Sequence, residues 1–327
     1  MESTRRNPEA IARCIRDART VAVVSHVNPD GDTLGSATAM RLVLLALGKE
    51  VSLFCDGKVP DQLNFLPGAD LFRVPEGNEE SFDLMLAVDV SDEKRLGCCA
   101  ALKNVCKMTA QIDHHPTNPL YMQENSVDGK APATCLMIRE QMETLGVELT
   151  RDIAICLYTG ISTDTGNFAF ACTDAEAFRV MGELMEYGLP LAELNRILFR
   201  VKPREQTRLI GKAIESLTFR GNGRVAVMKL TREDFRACGA LSEHADTVVN
   251  YGLDTVGTEM ALLAREAGNG KIKFSLRAKE PARVDDIARQ FGGGGHPQAS
   301  GIEMTGSLDE CVELVVSAME KKADSGR

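Results

Sequence analysis

The chain has 327 residues, 44% hydrophobic and 26% charged, with a formal net charge of −9 from 47 acidic and 38 basic side chains. That balance belongs to folded globular proteins and excludes disordered or fibrous classes, while the acidic excess argues against a protein that grips long duplexes through their phosphates. No apolar run reaches the roughly 18 residues of a membrane span, and the opening stretch has arginines without an apolar core, so neither a membrane anchor nor a secretory signal is expected.

The first half alternates apolar bursts with helical spacing. TVAVVS (20–25), EVSLFC (50–55), FDLMLAV (82–88) and VCKMTAQI (105–112) read as strands, because each is a short apolar run closed by polar or turn residues. TLGSATAMRLVLLALG (33–48) has helical spacing with Gly48 at its end, a usual helix terminator. ATCLMIREQMETLG (133–146) and TRDIAICLYTGISTD (150–164) read as two further helices. Strand–helix–strand repetition predicts an α/β domain: a parallel sheet with helices on both faces. From about residue 190 the pattern changes. PREQTRLIGKAIESLTF (203–219) reads as a connecting helix, and RVAVMKL, TEMALLARE and KIKFSLRA, with a Gly-Asn-Gly turn, as a smaller α/β sheet domain. The expected division is a first domain over 1–190, a linker helix over 191–222 and a second domain over 223–327. The ten cysteines are scattered without a Cys-x-x-Cys pair and read as reduced thiols, in keeping with a cytoplasmic location.

Acids and histidines recur where apolar segments end. His26, Asp30 and Asp32 follow the first strand, Asp89 follows FDLMLAV, and Asp113, His114 and His115 follow VCKMTAQI. Asp164 ends the helix that contains IAICLYTGIST. In an open parallel sheet the carboxyl ends of the strands share one edge, where ligands bind. Five carboxylates and three histidines thus approach one crevice. A lone Asp after a strand is ordinarily a helix cap or turn residue; the joint pattern is what points elsewhere. Of five histidines in the chain, three lie in these segments; His244 sits in ordinary helical context. Crowded carboxylates need cations, and imidazole with carboxylate suits Mn²⁺, Mg²⁺, Fe²⁺ or Zn²⁺. Six ligands exceed what one ion with an open position uses, so two ions sharing a bridging carboxylate are expected, a pair that activates water and clamps a phosphoryl group.

At the C-terminal end, residues 271–289 hold six cations, Lys271, Lys273, Arg277, Lys279, Arg283 and Arg289, against Glu280, Asp285 and Asp286. That local excess suits a small anionic ligand, though a solvated helix face has the same composition. Gly293, Gly294 and Gly295, ahead of His296, remove side chains so that backbone N–H groups could approach a phosphate or base.

At VSHVNPDGDTLGSA, AVDVSD, IDHHPTN and GISTDTGNF the sequence resembles the DHH phosphoesterases, named for the triplet seen here as Asp113-His114-His115. FSLRA and FGGGGHPQASG are similar to the DHHA1 domain of the subfamily that holds the bacterial nano-RNase and 3′-phosphoadenosine 5′-phosphate phosphatase proteins. The resemblance implies that His26 and Asp30 hold one metal, that Asp32, His114 and Asp164 hold a second, and that Asp89 bridges them, with Mn²⁺ the usual ion. It places His115 towards the scissile phosphate, Asp113 behind a histidine, and Asn28 near the attacking water or phosphate. Arg277 and His296 would hold a terminal phosphate of the substrate. Pro297 and Ser300 depart from the family pattern at that substrate end, and LSEHADTVVNYGLDTVGTE fits it loosely.

The expected activity is hydrolysis of very short single-stranded oligoribonucleotides from an end, and of 3′,5′-bisphosphate nucleotides such as pAp, with no duplex nucleic acid as partner. Phe168, Phe170 and Tyr251 are the aromatic candidates for base stacking, and a homodimer is one expected assembly. The alternatives are a phosphodiesterase for linear dinucleotides, an enzyme acting on pyrophosphate or polyphosphate, and a non-catalytic nucleotide-binding regulator.

Overall fold

A computed structural model describes residues 4–325, which divide into two compact units between Val201 and Lys202.

The strands of the first unit are β1 (Thr4–Arg5), β2 (Thr20–Val24), β3 (Glu50–Phe54), β4 (Phe72–Arg73), β5 (Phe82–Val88), β6 (Cys106–Asp113) and β7 (Glu124–Asp128). They form one sheet in the order β1-β7-β6-β5-β2-β3-β4, parallel throughout except for the β1–β7 pair. β2 and β5 are apolar on both faces because both are covered. Val21, Val23, Leu84, Leu86 and Val88 enter the main core. It also takes side chains of α1 (Pro8–Asp17), α2 (Gly31–Ala46), α3 (Thr134–Leu145), α4 (Arg151–Asp164), α5 (Ala175–Met185) and α6 (Leu191–Asn195). Ala22, Val24, Met85 and Ala87 point the other way, onto Leu96, Cys99 and Leu102 of the 3-10 segment Glu93–Asn104.

The register sets where the site lies. β2 pairs with β5 so that Val24 faces Ala87, and β5 pairs with β6 so that Val88 faces Ile112. The carboxyl ends of three adjacent strands therefore finish level, and Asp89 N–H donates to the Ile112 carbonyl at 2.9 Å just beyond them.

α2 and α4 cross closely because small residues line the contact. A Cβ added at Gly35 would stand 2.5 Å from the Cys156 carbonyl oxygen and 3.1 Å from Gly160 N, below any ordinary van der Waals separation.

In the second unit, β8 (Thr218–Arg220), β9 (Val225–Leu230), β10 (Met260–Glu266), β11 (Lys271–Ala278), β12 (Gly294–His296) and β13 (Ala299–Thr305) form a sheet in the order β12-β13-β11-β10-β9-β8. Only β9–β10 is parallel. One face packs Val227, Leu262, Phe274 and Leu276 with Ile287 of α10 (Asp285–Gln290) and with Val312, Val315 and Met319 of α11 (Leu308–Ser325). The other packs Ala226, Met228, Ala261 and Leu263 with α7 (Arg204–Glu215), α8 (Arg232–Cys238) and α9 (Val249–Leu253). α7 is the helix read from sequence as a connection. It belongs to the second unit instead, since Leu209, Ile210 and Ala213 form an apolar stripe buried against that sheet. The polar composition of its remaining surface hid that stripe.

Gly35→Ala should destabilise the protein by about 1–3 kcal/mol, the usual cost of forcing a methyl into a packed core. Chemical denaturation of both proteins measures it; an unchanged midpoint would show that α2 and α4 separate freely.

Candidate functional site

Asp30 caps α2: its Oδ1 accepts from Asp32 N–H at 3.1 Å and Thr33 N–H at 3.2 Å. Its Oδ2 lies 3.6 Å from His26 Nε2, so one oxygen serves the helix and the other faces the crevice. His26 Nδ1 sits 2.8 Å from the Val27 carbonyl and 3.0 Å from an Arg95 guanidinium nitrogen. That leaves Nε2 towards the carboxylates. Asp89, in left-handed backbone (φ 60°) and 2% exposed, is central. Its Oδ2 is 3.6 Å from His26 Nε2, and its Oδ1 is 3.5 Å from His114 Nε2.

His114 is oriented by Nδ1 against the Ala131 carbonyl at 3.0 Å. Its Nε2 is 3.1 Å from Asp164 Oδ2 and 3.9 Å from Asp32 Oδ2. Asp32 is fully buried and receives Thr134 N–H at 2.6 Å and Cys135 N–H at 2.9 Å. It thus caps α3, whose own N-cap residue, Ala133, supplies no side-chain bond. His115 gives Nδ1 to Asp113 Oδ1 at 2.8 Å, and Asp113 Oδ2 accepts from Asn118 Nδ2 at 2.7 Å. Asn118 in turn bonds the Val90 carbonyl and Gln111. This buried amide network locks the Asp113–His115 pair.

Donor atoms of His26, Asp30 and Asp89 lie within 4.8 Å of one another, as do those of Asp32, His114 and Asp164, and those of Asp89, His114 and His115. The electrostatics match a cation site. Burial and the charges of Asp89 and Asp164 push the Asp32 pKa well up, and burial raises that of Asp89. Burial works against charged imidazoles, yet hydrogen bonding to Asp30 and Asp89 raises His26 to about 10. Likewise the hydrogen bond to Asp164 and the charges of Asp32 and Asp89 outweigh burial and raise His114 to about 11. The protons held on these rings neutralise carboxylates that divalent cations would otherwise neutralise. Asn28 is exposed, in left-handed backbone (φ 53°).

In the second unit, Arg277 pairs with Ala299, and Ala299 with His296. Arg277 and His296 therefore share one row and one sheet face, separated by a methyl group. Burial lowers the Arg277 pKa, and one guanidinium nitrogen is tied to the Leu276 carbonyl at 3.0 Å. The glycine run is a strand edge, not a loop. A Cβ at Gly293 would meet the Gly301 carbonyl at 2.1 Å, and one at Gly295 (φ 143°) the Ala299 carbonyl at 2.5 Å, whereas at Gly294 nothing lies within 4 Å. The chain's own packing explains Gly293 and Gly295; Gly294 keeps its open face.

Sequence reading missed Thr134 and Arg95, which bond the ligand candidates Asp89, Asp32 and His26, and Asn118, which bonds Asp113. Two signals were available: Arg95 follows Asp89 closely, and Asn118 closes the IDHHPTN motif. Thr134 sits in a segment that reads as plain helix.

The DHH family, N-terminal domain, matches residues 20–161, and the DHHA1 domain matches residues 222–323. The bifunctional oligoribonuclease and PAP phosphatase NrnA of Thermus thermophilus is 34% identical over 304 residues, covering 92% of this chain and 90% of that protein. Its Bacillus subtilis counterpart is 27% identical over 301 residues, covering 90% of this chain and 92% of that protein. The crystal structure of an exopolyphosphatase-related protein from Bacteroides fragilis superposes with a TM-score of 0.89 at 23% identity, covering 97% of this chain and 96% of that one, which shows a shared fold. The chain belongs to the DHH family, with a DHH domain followed by a DHHA1 domain.

Proposed function

We propose that the chain is a metal-dependent phosphoesterase that hydrolyses very short single-stranded oligoribonucleotides and 3′,5′-bisphosphate nucleotides such as pAp. The observation that carries the reading is the placement of Asp89, whose two carboxylate oxygens face two different imidazoles, His26 and His114. One carboxylate between two nitrogen donors, each with a further carboxylate beside it, fits a shared pair of divalent ions. The relatives named for oligoribonuclease and PAP phosphatase activity support the substrate class.

In this reading His26, Asp30 and Asp89 hold one ion, and Asp89, Asp32, His114 and Asp164 the other. Oxygen and imidazole donors without thiolate favour Mn²⁺, with Mg²⁺, Fe²⁺ and Zn²⁺ as competitors. Bound there, the ions supply water activation and charge neutralisation at phosphorus. His115, its Nδ1 committed to Asp113, offers Nε2 to a phosphate oxygen, and Asp113 keeps the ring in that tautomer. Asn28 presents its amide at the mouth of the crevice. Arg277, His296 and the open backbone at Gly294 recognise the terminal phosphate, since a guanidinium can donate paired hydrogen bonds to two oxygens of one phosphate. A grip on one end selects short substrates, in keeping with a net charge of −9, the opposite of the basic balance that suits long duplexes. No described helix is long and apolar enough to cross a membrane, and the free thiols support a reducing, cytoplasmic setting.

Assays with Mn²⁺ on dinucleotides, pAp, pyrophosphate and linear products of cyclic dinucleotides test the reading, with turnover expected on the first two and pyrophosphate left intact. Asp89→Ala should abolish hydrolysis, by about 10³-fold or more given loss of a shared ligand, with an unchanged circular dichroism spectrum; undiminished turnover would remove the bridging role. Arg277→Ala should raise KM for phosphate-terminated substrates about tenfold or more, the scale of one lost charged hydrogen bond. Equal loss on a phosphodiester without a terminal phosphate would contradict that assignment. Because the neighbouring carboxylates raise the pKa of His26 to about 10 and of His114 to about 11 when no metal is bound, ligation at neutral pH has to displace protons from both rings. Affinity for Mn²⁺ should therefore rise with pH, and calorimetry in buffers of different ionisation enthalpy should show net proton release near pH 7, from the two imidazoles and from the carboxyls of Asp32 and Asp89, whose pKa values burial raises. Identical heats in all buffers would refute it.

A further inference from the structure

We infer that Thr134 is a positioning residue for only one half of the proposed metal pair, the half built on Asp32, His114 and Asp164. The inference rests on the metal-dependent reading above and adds to it a residue that is not itself a ligand candidate. Thr134 is the first residue of α3 and is fully buried. Its hydroxyl donates to Asp89 Oδ1 at 2.8 Å, and its backbone N–H donates to Asp32 Oδ2 at 2.6 Å. One residue thus ties together two carboxylates that are 2% and 0% exposed and that repel each other when charged.

The contacts are one-sided. Asp89 Oδ1, which takes the hydroxyl, is the oxygen 3.5 Å from His114, whereas Oδ2 faces His26. Asp32 Oδ2, which takes the N–H, is likewise the oxygen near His114. The His26 side has separate supports: Asp30 is held by Asp32 N–H and Thr33 N–H, and His26 by the Val27 carbonyl. Asp32 also has no room to compensate. A Cβ at Gly160 would stand 2.4 Å from its Oδ1 and 2.2 Å from the Cys135 sulfur, so the carboxylate is pinned from behind. Without the Thr134 hydroxyl, Asp89 Oδ1 loses the donor that fixes its lone pairs, and the carboxylate turns towards the His26 side. Groups that orient metal ligands in this way change metal affinity about 10–100-fold when removed.

The test titrates metal-free full-length protein with Mn²⁺, reading stoichiometry and both affinities by calorimetry and spin coupling between ions by electron paramagnetic resonance. Thr134→Val should retain one site within about twofold of the native affinity and weaken the other at least about tenfold, with the coupled spectrum lost at two equivalents. Thr134→Ala, which lacks the hydroxyl without added bulk, should repeat this result, and Thr134→Ser should restore both affinities. Native binding of both ions by the Val and Ala variants would overturn the inference, as would equal weakening of both sites. Failure of the native protein to take up Mn²⁺ would remove the inference together with the reading beneath it.

Discussion

A buried carboxylate must be paired, protonated or solvated, and the first unit buries two of them side by side. Asp32 and Asp89 are 0% and 2% exposed, and the surroundings offer each a set of fixed donors. Asp32 sits on two N–H groups at the start of α3, and Asp89 on the Thr134 hydroxyl with an imidazole on either side. Such fixed dipoles reduce the repulsion without removing it. The sheet register, the close crossing of α2 and α4, and the turn out of β2 all serve to bring these groups to one place. Without compensation by positive charge, the carboxyl edge of the sheet would hold an unsupported cluster of like charge.

The two units differ in chemistry. The first concentrates acids and imidazoles whose pKa values are displaced from their ordinary ranges, the signature of groups tuned by neighbours rather than by solvent. The second supplies a half-buried arginine and an exposed histidine in one cross-strand row. Ala299 stands between them in that row, with only a methyl for a side chain.

Much of this was legible from sequence because parallel strands buried on both faces have an unmistakable composition. The four apolar runs all appear as strands, and the acids that follow them do finish at one edge. What stayed hidden depends on contacts between distant residues. Asp32 caps a helix 102 positions away, a bond that no local pattern encodes. Two of the three residues of β12 are glycines, with no side chains to carry strand propensity, so the paired edge strand has no apolar pattern to announce it. α7 presents a polar surface around a narrow apolar stripe, and such a helix resembles a linker until its sheet is known. Short β7 is absent from the apolar pattern because ENSVD contains only one strongly apolar residue.

The double duty of Asp30 and Asp32 has a consequence for how amides substitute at neighbouring positions. Asp30 receives both N–H groups of its helix on a single oxygen, so an asparagine there keeps the helix start intact through its carbonyl and gives up only the charge and the oxygen that faces His26. Asp32 spreads its two N–H bonds over both oxygens, so an asparagine there must aim an NH₂ group at a backbone N–H. Two aspartates two positions apart thus differ in kind: the first separates architecture from chemistry, and the second fuses them.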